Sequence, residues 1–557
     1  MNKRILSIIV VFLILLFIFG CVPKPPKQPP SQNVTIQPLP PQPQQNISQQ
    51  PINPQQPIQP QQNTSNPPDE KPPKQPPSQQ NNTWIQDNVT IPEEQLTKRE
   101  NEIIIGVEYA FPGTASAFKE TGITGVKFYP EGYTRWGNMQ KSADSEIDFS
   151  QLDKMVKEYQ GNGMTNIVMG MRHDSDWASI ESSMFVIKNP LPKQEYLDEY
   201  EVWFKSVVER YDYDGINDMP GLLAPIKYYE IGVEFSSYEP EPVDEYIAFL
   251  KKAYKTAHEA YPDVVIAHAA FLTTTAFKEH PYKGTYENAF NGMEPRIKEH
   301  DLNDMRKILD NPGAFDVLNV HSLADPYEIE EIVSWLNYEM SKRSYKKKII
   351  VSDTAITPFI GWGAANKCTG SPLGLIVLPA TEQDRCRLAD YFQKLIDNDE
   401  ETISWLHGFI AEDVVKRVVV AASQDIVLID TAFTEDIEIL KKLLSAGAGN
   451  SAWGGIFQVD INPFTQERIV KNKRPSFYAL KQLQGHIKDY DTLDRIDTGD
   501  DEVRLYKLTA NSKPLWIAWV ENYKLILPWD EIPQKTISLN VQNELIVEKL
   551  ITEDGKT

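Results

Sequence analysis

Charged, polar and aromatic residues follow a series of short apolar segments, at the points where buried strands would end. These residues are Glu108, Tyr109, Tyr129, Glu131, Trp136, Arg172, His173, Asp174, Asp176, Trp177, Glu230, Glu234, His268, Asn319, His321, Asp353 and Asp430. Two carboxyl groups that face each other can act as proton donor and as nucleophile or base, which is what cleavage of a glycosidic bond requires. Aromatic faces can serve as platforms for sugar rings. The set predicts a carboxylate-rich, aromatic-rich site if the fold brings these strand ends together.

Eight β-branched segments alternate with amphipathic segments of helical period. The eight are 103–109, 125–129, 166–171, 227–232, 264–268, 315–321, 348–353 and 426–431. This alternation predicts a (β/α)8 barrel, in which the loops after the strands build the site. The alternative α/β fold, an open doubly wound sheet, needs a glycine-rich phosphate turn after the first strand, and residues 106–109 (Gly-Val-Glu-Tyr) do not form one.

The pattern changes after Gln484 to strands without helices. The predicted strands are 503–508, 515–520, 523–527, 536–541 and 546–551. We therefore expect a barrel over residues 100–487 and a small antiparallel β domain over residues 488–557.

Several motifs resemble, in order and spacing, those of clan A glycoside hydrolases. Residues 229–235 (Tyr-Glu-Ile-Gly-Val-Glu-Phe) are similar to the fourth-strand motif WEIGNEP, and residues 348–354 (Lys-Ile-Ile-Val-Ser-Asp-Thr) resemble the seventh-strand motif PiwvTET. Further matches are Trp136 with 147–153, 163–168 and 177–178 at the start of the barrel, 316–321 at the sixth strand and 474–481 at the last helix. The resemblance implies a (β/α)8 barrel that acts on carbohydrate, with Glu234 as acid/base and Asp353 as nucleophile.

The expected sugar contacts come from the same strand ends and from two later tryptophans. They are Glu108, Tyr109, Tyr129, Trp136, Arg172, Trp177, His268, His321, Trp362 and Trp453. The four tryptophans can equally be core residues, and His321 can equally be a hydrogen-bonded support.

The chain departs from the clan A pattern at positions expected to take part in catalysis. Val233 replaces the Asn that would contact the sugar 2-hydroxyl, Asp353 replaces the nucleophile Glu, and Lys127 stands where an Arg is common. Because Asp is one methylene shorter than Glu, we expect the carboxyl gap to widen from ~5–5.5 Å to about 6.5–7 Å, the lower edge of the inverting range. A slow retaining enzyme, an inverting enzyme and a barrel that binds sugar without cleaving it all stay open.

Two other classes of function compete with the glycosidase. One is a non-catalytic, carbohydrate-binding surface protein. The other is metal-dependent hydrolysis by Glu234, His268, His321 and Asp353, although the first strand lacks a His-x-His pair and the chain has only 8 histidines. We predict no bound metal and no cofactor, because the cysteines and histidines show no metal-binding spacing.

Composition excludes some partners. The 557 residues include 56 basic and 78 acidic side chains, a net charge of −22. Such acidity repels phosphate backbones, so we predict no nucleic-acid partner.

The N-terminal segment reads as an export signal with an anchor. Lys3 and Arg4 precede an apolar run, and Gly20-Cys21 resembles the end of a lipoprotein signal, which implies lipidation of Cys21. Phe19 departs from that pattern, so an uncleaved membrane helix stays open. Either way, we expect residues 1–21 to tie the protein to the cell membrane, with the barrel facing the extracellular side.

Residues 22–95 form a linker rich in proline and glutamine. With almost no apolar residues, this segment cannot bury enough surface to fold. It also holds N-glycosylation acceptors at Asn33, Asn46, Asn63, Asn81 and Asn88. We expect a disordered, glycosylated spacer, although a tract of this composition also generates such sites by chance.

The remaining cysteines are Cys368 and Cys386. Because disulfides persist in exported proteins, we expect this pair to form a bridge.

Overall fold

The computed structural model describes most of the chain after residue 102. The described residues are 103–128, 130–183, 186–236, 239–273, 277, 286–291, 299–323, 325–354, 381–433, 435–437, 453–462, 465, 467–521, 524–539 and 546–550. The predicted segments 1–21 and 22–95 lie outside these ranges, and so do Cys21, the five asparagine acceptors, Tyr129, Trp362 and Cys368. The anchor, the glycosylated linker and the Cys368–Cys386 bridge therefore stay predictions. Within the described ranges, no helix has both the length and the apolar character that a membrane span requires.

The secondary structure over the described ranges alternates strands with helices. The strands are β1 Ile104–Ala110, β2 Gly125–Phe128, β3 Asn166–Met171, β4 Ser179–Ser183, β5 Val186–Pro192, β6 Tyr228–Glu234, β7 Val265–Leu272, β8 Leu318–His321, β9 Ile349–Asp353, β10 Leu428–Phe433, β11 Glu435–Ile437, β12 Phe457–Ile461, β13 Arg468–Lys473, β14 Thr492–Ile496, β15 Val503–Ala510 and β16 Lys513–Val520. The α-helices are α1 Ala115–Phe118, α2 Pro130–Tyr133, α3 Trp136–Met139, α4 Ser150–Gly161, α5 Leu197–Arg210, α6 Val243–Ala260, α7 Tyr286–Asn291, α8 Leu302–Leu309, α9 Glu328–Lys342, α10 Arg385–Ile396, α11 Glu400–Ser423 and α12 Pro475–Ile487.

Eight parallel strands close into a barrel in the order β1-β10-β9-β8-β7-β6-β3-β2. Each arises from one of the eight segments predicted from the sequence, so the (β/α)8 barrel is confirmed. The predicted and observed strand ends differ by a few residues at most positions, as is usual where a strand passes into a loop.

The barrel interior is apolar at one end and charged at the other. Val168, Ala267, Val317, Ile350 and Leu428 come from different strands or strand entries and pack into one buried cluster. Since alternate residues of a strand share a face, the residues two or four positions further along also point inward. Two of those positions hold charged side chains of the site, Asp430 two residues beyond Leu428 and His321 four residues beyond Val317, toward the carboxyl ends of their strands.

A glycine in β1 makes room for one of these side chains. A Cβ atom on Gly106 would lie 2.1 Å from an oxygen of Asp430 and 2.8 Å from the carbonyl carbon of Gly125. Only glycine therefore allows β1 to pass the Asp430 carboxyl and β2 at this level.

The C-terminal region forms a three-stranded sheet in the order β14-β15-β16. Two of its strands, β15 and β16, were predicted. The strand predicted at 523–527 is wrong over its described residues, because the chain turns there: Asp530 N–H donates to the Leu527 carbonyl at 2.9 Å. The described parts of 536–541 and 546–551 are also not strands; they are mostly exposed, without strand partners within the described ranges.

The C-terminal sheet packs on the start of helix α9. Arg504 lies 3.2 Å from Glu330, the Tyr506 hydroxyl donates to Glu330 at 3.2 Å, and Trp519 Nε1 donates to the Tyr327 hydroxyl at 2.7 Å. These contacts are buried or partly buried, so the sheet extends the barrel's helical layer.

Candidate active site

Three of the predicted residues meet at the barrel mouth. Glu234 ends β6, His321 ends β8 and Asp353 ends β9. One ligand-type atom from each lies within 4.8 Å of the others, and the three residues are 4%, 1% and 7% exposed. Irregularities in strand register at Ile231/Glu234 and Val320/His321 coincide with these positions. Such bulges re-aim side chains, which brings the three groups together.

We call the buried ionisable residues at this end of the barrel the mouth cluster. Its members are Glu108, Lys127, Glu230, Glu234, His321, Asp353 and Asp430.

His321 connects the upper and lower parts of the mouth cluster. Its Nδ1 lies 2.7 Å from Glu234 Oε1, and its Nε2 lies 3.1 Å from Ser352 Oγ and 3.5 Å from Glu230 Oε1. Burial and Lys127 act to lower the pKa of His321, but hydrogen bonds with Glu230 and Glu234 outweigh them and raise it to about 9. At neutral pH the imidazole therefore holds a proton and donates Nδ1–H to the Glu234 carboxylate.

Lys127 supplies the second cation of the mouth cluster. Its Nζ lies 2.8 Å from Glu230 Oε2 and 3.7 Å from Glu108 Oε1, and it donates to Ser352 Oγ at 3.4 Å. Burial disfavours the ammonium, yet Glu230, Glu108 and Asp353 hold the pKa of Lys127 well above its usual range. In return, although burial acts in the opposite direction, Lys127 and His321 hold the pKa of Glu230 below its usual value.

Two other carboxyl groups of the mouth cluster, Glu108 and Asp430, have raised pKa values. Burial, then repulsion by Asp353 and a hydrogen bond with it, raises the pKa of Glu108 well above its usual value. Burial also raises the pKa of Asp430, and Lys127 only partly offsets this. A protonated Glu108 can therefore donate a hydrogen bond to the Asp353 carboxylate.

The structure brings Glu108, Glu234, His321 and Asp353 together, as the sequence-based site requires. It does not support the widened carboxyl gap, since an oxygen of Glu234 and one of Asp353 lie within 4.8 Å. The role of Ser352 was missed, and its only signal is its position two residues beyond Ile350 on the inward face of β9.

Two tryptophans predicted to contact sugar lie in the core. Trp136 is 0% exposed, and its ring packs 4.9 Å from Trp177 and 5.5 Å from Tyr200. Trp453 is 1% exposed. Neither presents a face to a ligand in this structure, so these two predictions are corrected. Trp177 is half-buried and donates from Nε1 to the Gln140 carbonyl at 3.0 Å.

His268 and Arg172 also have contacts outside the mouth cluster. His268 Nδ1 lies 2.7 Å from the Ala269 carbonyl, and its ring packs 4.4 Å from Phe271. Burial lowers the pKa of His268 to about 4, so it is a neutral support rather than a sugar contact. Arg172 Nε donates to Asp174 at 3.0 Å. Tyr109 lies in β1, but its side chain is outside the described part of the structure.

A second buried group, which we call the loop cluster, consists of His173, Glu239 and Glu241. His173 Nε2 lies 3.9 Å from Glu239 Oε2 and 3.8 Å from Glu241 Oε1. His173 was among the residues expected at the strand ends, whereas neither glutamate was. Their signal is the run Glu239-Pro240-Glu241-Pro242, in which prolines favour an extended chain that puts the two carboxyls on one side.

The two clusters differ as potential metal sites. At the mouth, the 2.7 Å separation of His321 Nδ1 and Glu234 Oε1 is that of a hydrogen bond, and a protonated imidazole is not a metal ligand. In the loop cluster, the longer separations leave space for an ion between the nitrogen and the oxygens. A third group, Glu209, Asp212 and Asp214, includes exposed positions.

Comparison with known proteins gives structural likeness only. No protein-family model and no curated protein sequence matches the chain. The structure is similar to a family 39 glycoside hydrolase from Bacteroides cellulosilyticus WH2, with TM-score 0.46 and 12% identity over 76% of this chain and 71% of that chain. It is also similar to a GH39 β-xylosidase from Caulobacter crescentus (TM-score 0.39, 11% identity, 74% and 78% covered) and to a psychrophilic GH10 endo-β-1,4-xylanase (TM-score 0.36, 12% identity, 68% and 96% covered). Likeness of this extent does not identify an activity.

Proposed function

We propose that the barrel is a retaining glycoside hydrolase that cleaves O-glycosidic bonds of a poly- or oligosaccharide, with Glu234 as acid/base and Asp353 as nucleophile. The observation that carries this proposal is the pair of carboxyl groups at the ends of β6 and β9, with oxygens within 4.8 Å of each other. Retaining enzymes hold their carboxyl groups about 5–5.5 Å apart, whereas inverting enzymes need about 6.5–9.5 Å to admit a water.

The proposed reaction follows the two-step course of retaining enzymes. An Asp353 oxygen attacks the anomeric carbon while Glu234 gives a proton to the glycosidic oxygen, so the C–O bond breaks and a glycosyl ester forms. Water then attacks the ester and gives a proton to Glu234. The sugar leaves, and the Asp353 carboxylate is restored.

The neighbours of both carboxyl groups suit these roles. Burial and Asp353 raise the pKa of Glu108, and a protonated Glu108 can donate a hydrogen bond that orients the Asp353 carboxyl. His321 Nδ1 lies 2.7 Å from Glu234 Oε1, and this hydrogen bond holds the Glu234 carboxyl in position at the barrel mouth for proton transfer to the leaving oxygen.

Substitutions at the two carboxyl groups test the assignment. Glu234→Gln should lower turnover of polysaccharides by about 10²–10⁴-fold, with a smaller loss for activated aryl glycosides, whose leaving groups need little protonation. Asp353→Asn should lower turnover of both substrate types by about 10³–10⁶-fold, because the covalent step is lost. Glu467→Gln is the matched control, since that carboxylate pairs with Lys154 on the surface.

A panel of aryl glycosides and polysaccharides is the direct measurement. Unchanged polysaccharide turnover in Glu234→Gln would show that the acid/base is another residue. If the wild-type protein hydrolyses no member of the panel but binds an oligosaccharide, the barrel is a non-catalytic binding protein. Val233 favours that second candidate, because it cannot supply the side-chain hydrogen bond to a sugar hydroxyl that an Asn would make.

The proposal also includes location at the cell surface. It is supported by the sequence of residues 1–95, which combines an export signal, a possible lipid or membrane anchor at Cys21 and a linker with five glycosylation acceptors. Protease treatment of intact cells should release a fragment that begins near residue 95. Full protection of the barrel under these conditions would rule out an outward-facing protein.

A further inference from the structure

We propose that His173, Glu239 and Glu241 bind a divalent transition-metal cation, for which Zn²⁺ is the natural probe. His173 Nε2, Glu239 Oε2 and Glu241 Oε1 are the atoms that face one another, with the nitrogen 3.9 and 3.8 Å from the two oxygens. This site is separate from the proposed catalytic carboxyl pair.

The loop that carries the glutamates is held in place before any ion binds. His300 Nε2 lies 2.6 Å from the Glu239 carbonyl, and its ring stacks on Phe235 at 4.0 Å. Glu239 Oε1 accepts the Val233 N–H at 2.6 Å, which leaves Oε2 directed at His173. Contacts of this kind orient the ligands of a metal site.

Two of the three facing atoms, His173 Nε2 and Glu241 Oε1, lack the partners that buried polar groups require. His173 is 2% exposed and Glu241 is 0% exposed. Among the described residues, neither ring nitrogen of His173 has a hydrogen-bond partner, and no other residue hydrogen-bonds the Glu241 carboxyl oxygens. Buried polar atoms without partners are rare in folded proteins, and an ion absent from the structure is one of their established explanations. These three groups are aimed at one point, so an ion there would satisfy them together.

Charge and geometry favour a transition metal. With both carboxyl groups ionised and the imidazole neutral, the site has charge −2, which a divalent cation neutralises. An imidazole ligand favours Zn²⁺ and its neighbours over Ca²⁺ or Mg²⁺, which prefer oxygen. Bonds of about 2.0–2.2 Å separate tetrahedral ligand atoms by about 3.3 Å, so the side chains need to close by roughly half an ångström.

An ion at this site would stabilise the loop that follows the proposed acid/base. Glu239 is hydrogen-bonded to the backbone of Val233, the residue before Glu234. The ion would therefore fix β6 to the strand-β3 loop that carries His173, as structural metals join segments that are distant in sequence. Glu239 and the ion would act as positioning groups, because neither belongs to the mouth cluster.

Metal content and thermal unfolding of the full-length chain test the site. After removal of metals with a chelator and addition of Zn²⁺, the wild-type protein should retain about one ion per chain through dialysis, and its Tm should rise by several degrees. His173→Ala should weaken Zn²⁺ binding by at least about 100-fold and abolish the Tm rise. Glu241→Gln, which keeps the shape of the side chain, should do the same and covers the case in which His173→Ala does not fold.

Two control variants separate this site from the other acidic groups. Glu234→Gln in the mouth cluster and Asp214→Asn, at the exposed member of the third group, should keep the ion and the Tm rise. Absence of Zn²⁺ binding in the wild-type protein overturns the proposal, and so does loss of the ion in Glu234→Gln but not in His173→Ala or Glu241→Gln. Because metal content is read without a substrate, failure of the glycosidase assignment leaves this result unaffected.

Discussion

The mouth cluster and the loop cluster both bury carboxyl groups beside strand β6, but they compensate the burial differently. In the mouth cluster, Lys127 and a protonated His321 lie within hydrogen-bond or ion-pair distance of the carboxylates. In the loop cluster, burial lowers the pKa of His173 to about 3, so its imidazole is uncharged and supplies no cation to the two glutamates that it faces. Burial raises the pKa of Glu239 to about 8 and that of Glu241 well above its usual value.

This difference shows how similar residue types can serve different ends. A buried carboxylate is stable when a cation accompanies it. The mouth cluster contains its own cations, and a proton held by one of them can take part in a reaction. The loop cluster has no cation among its three members, and Arg172, which acts to lower the pKa of Glu239 and Glu241, does not outweigh their burial. An external cation could replace the protons that burial favours. The predictions below test this contrast, in order of decreasing effect.

The largest effect is expected when the Lys127 ammonium is removed from the mouth cluster. Lys127→Met leaves Glu230, which is 0% exposed, without its closest cation, and should lower the free energy of unfolding by about 3–5 kcal/mol in urea denaturation. Lys252→Met is the control, because its pair with Glu201 is exposed and should contribute less than about 1 kcal/mol. Adding Glu230→Leu to Lys127→Met should recover part of the loss. Equal effects of the two single variants would contradict the contrast.

The next effect concerns the backbone that connects the clusters. Gly232 has φ +94°, and a Cβ atom there would lie 2.9 Å from both Glu239 Oε1 and Ala269 Cβ. Gly232→Ala should therefore cost about 2–4 kcal/mol and move the Glu239 carboxyl, which weakens Zn²⁺ binding. Gly408→Ala in helix α11 meets nothing within 4 Å and should stabilise the protein by about 0.5–1 kcal/mol. An unchanged free energy of unfolding in Gly232→Ala would mean that the loop is not held against β6.

The barrel could be predicted from the sequence because its signals are local. Each strand is a short β-branched run that ends at polar residues, and all eight lie where the sequence indicated. The prediction of strands beyond β16 was wrong, because exposed segments such as 536–539 have the composition of a strand without a partner strand. Strand β14 was missed, since its pairing with β15 comes from tertiary packing.

The site was predictable only in part, because the sequence shows where strands end but not how distant elements pack. Glu234, His321 and Asp353 follow apolar strands, so their meeting at the barrel mouth follows from the fold. The burial of Trp136 and Trp453 depends on packing between distant elements, which composition does not reveal. Likewise, nothing in the sequence shows that Glu239 and Glu241 are buried, because acidic residues are usually exposed.

A smaller effect should appear in the pH dependence of stability. The pKa of His321 rises from 6.5 to about 9 on folding, so its contribution is complete below pH 6.5 and is lost as the pH rises through about 9. Between these values the free energy of unfolding should fall by about 1–3 kcal/mol through this group. His321→Asn should show a flatter profile than the wild-type protein in urea denaturation from pH 6 to 9.5. Parallel profiles would mean that the imidazole is not protonated in the folded state.

The smallest effect, and the one that distinguishes the clusters most directly, is expected for Glu241→Met in metal-free protein. The substitution replaces a buried carboxyl, for which no other described residue provides a hydrogen bond, with an apolar chain of similar length. Because no partner is left behind, the free energy of unfolding should change by less than about 1 kcal/mol, or increase slightly. With Zn²⁺ present the order should reverse, since only the wild-type protein gains stability from the bound ion. A loss of several kcal/mol in the metal-free protein would show that Glu241 already has a partner of its own, as Glu230 has in Lys127, and the loop cluster would then resemble the mouth cluster.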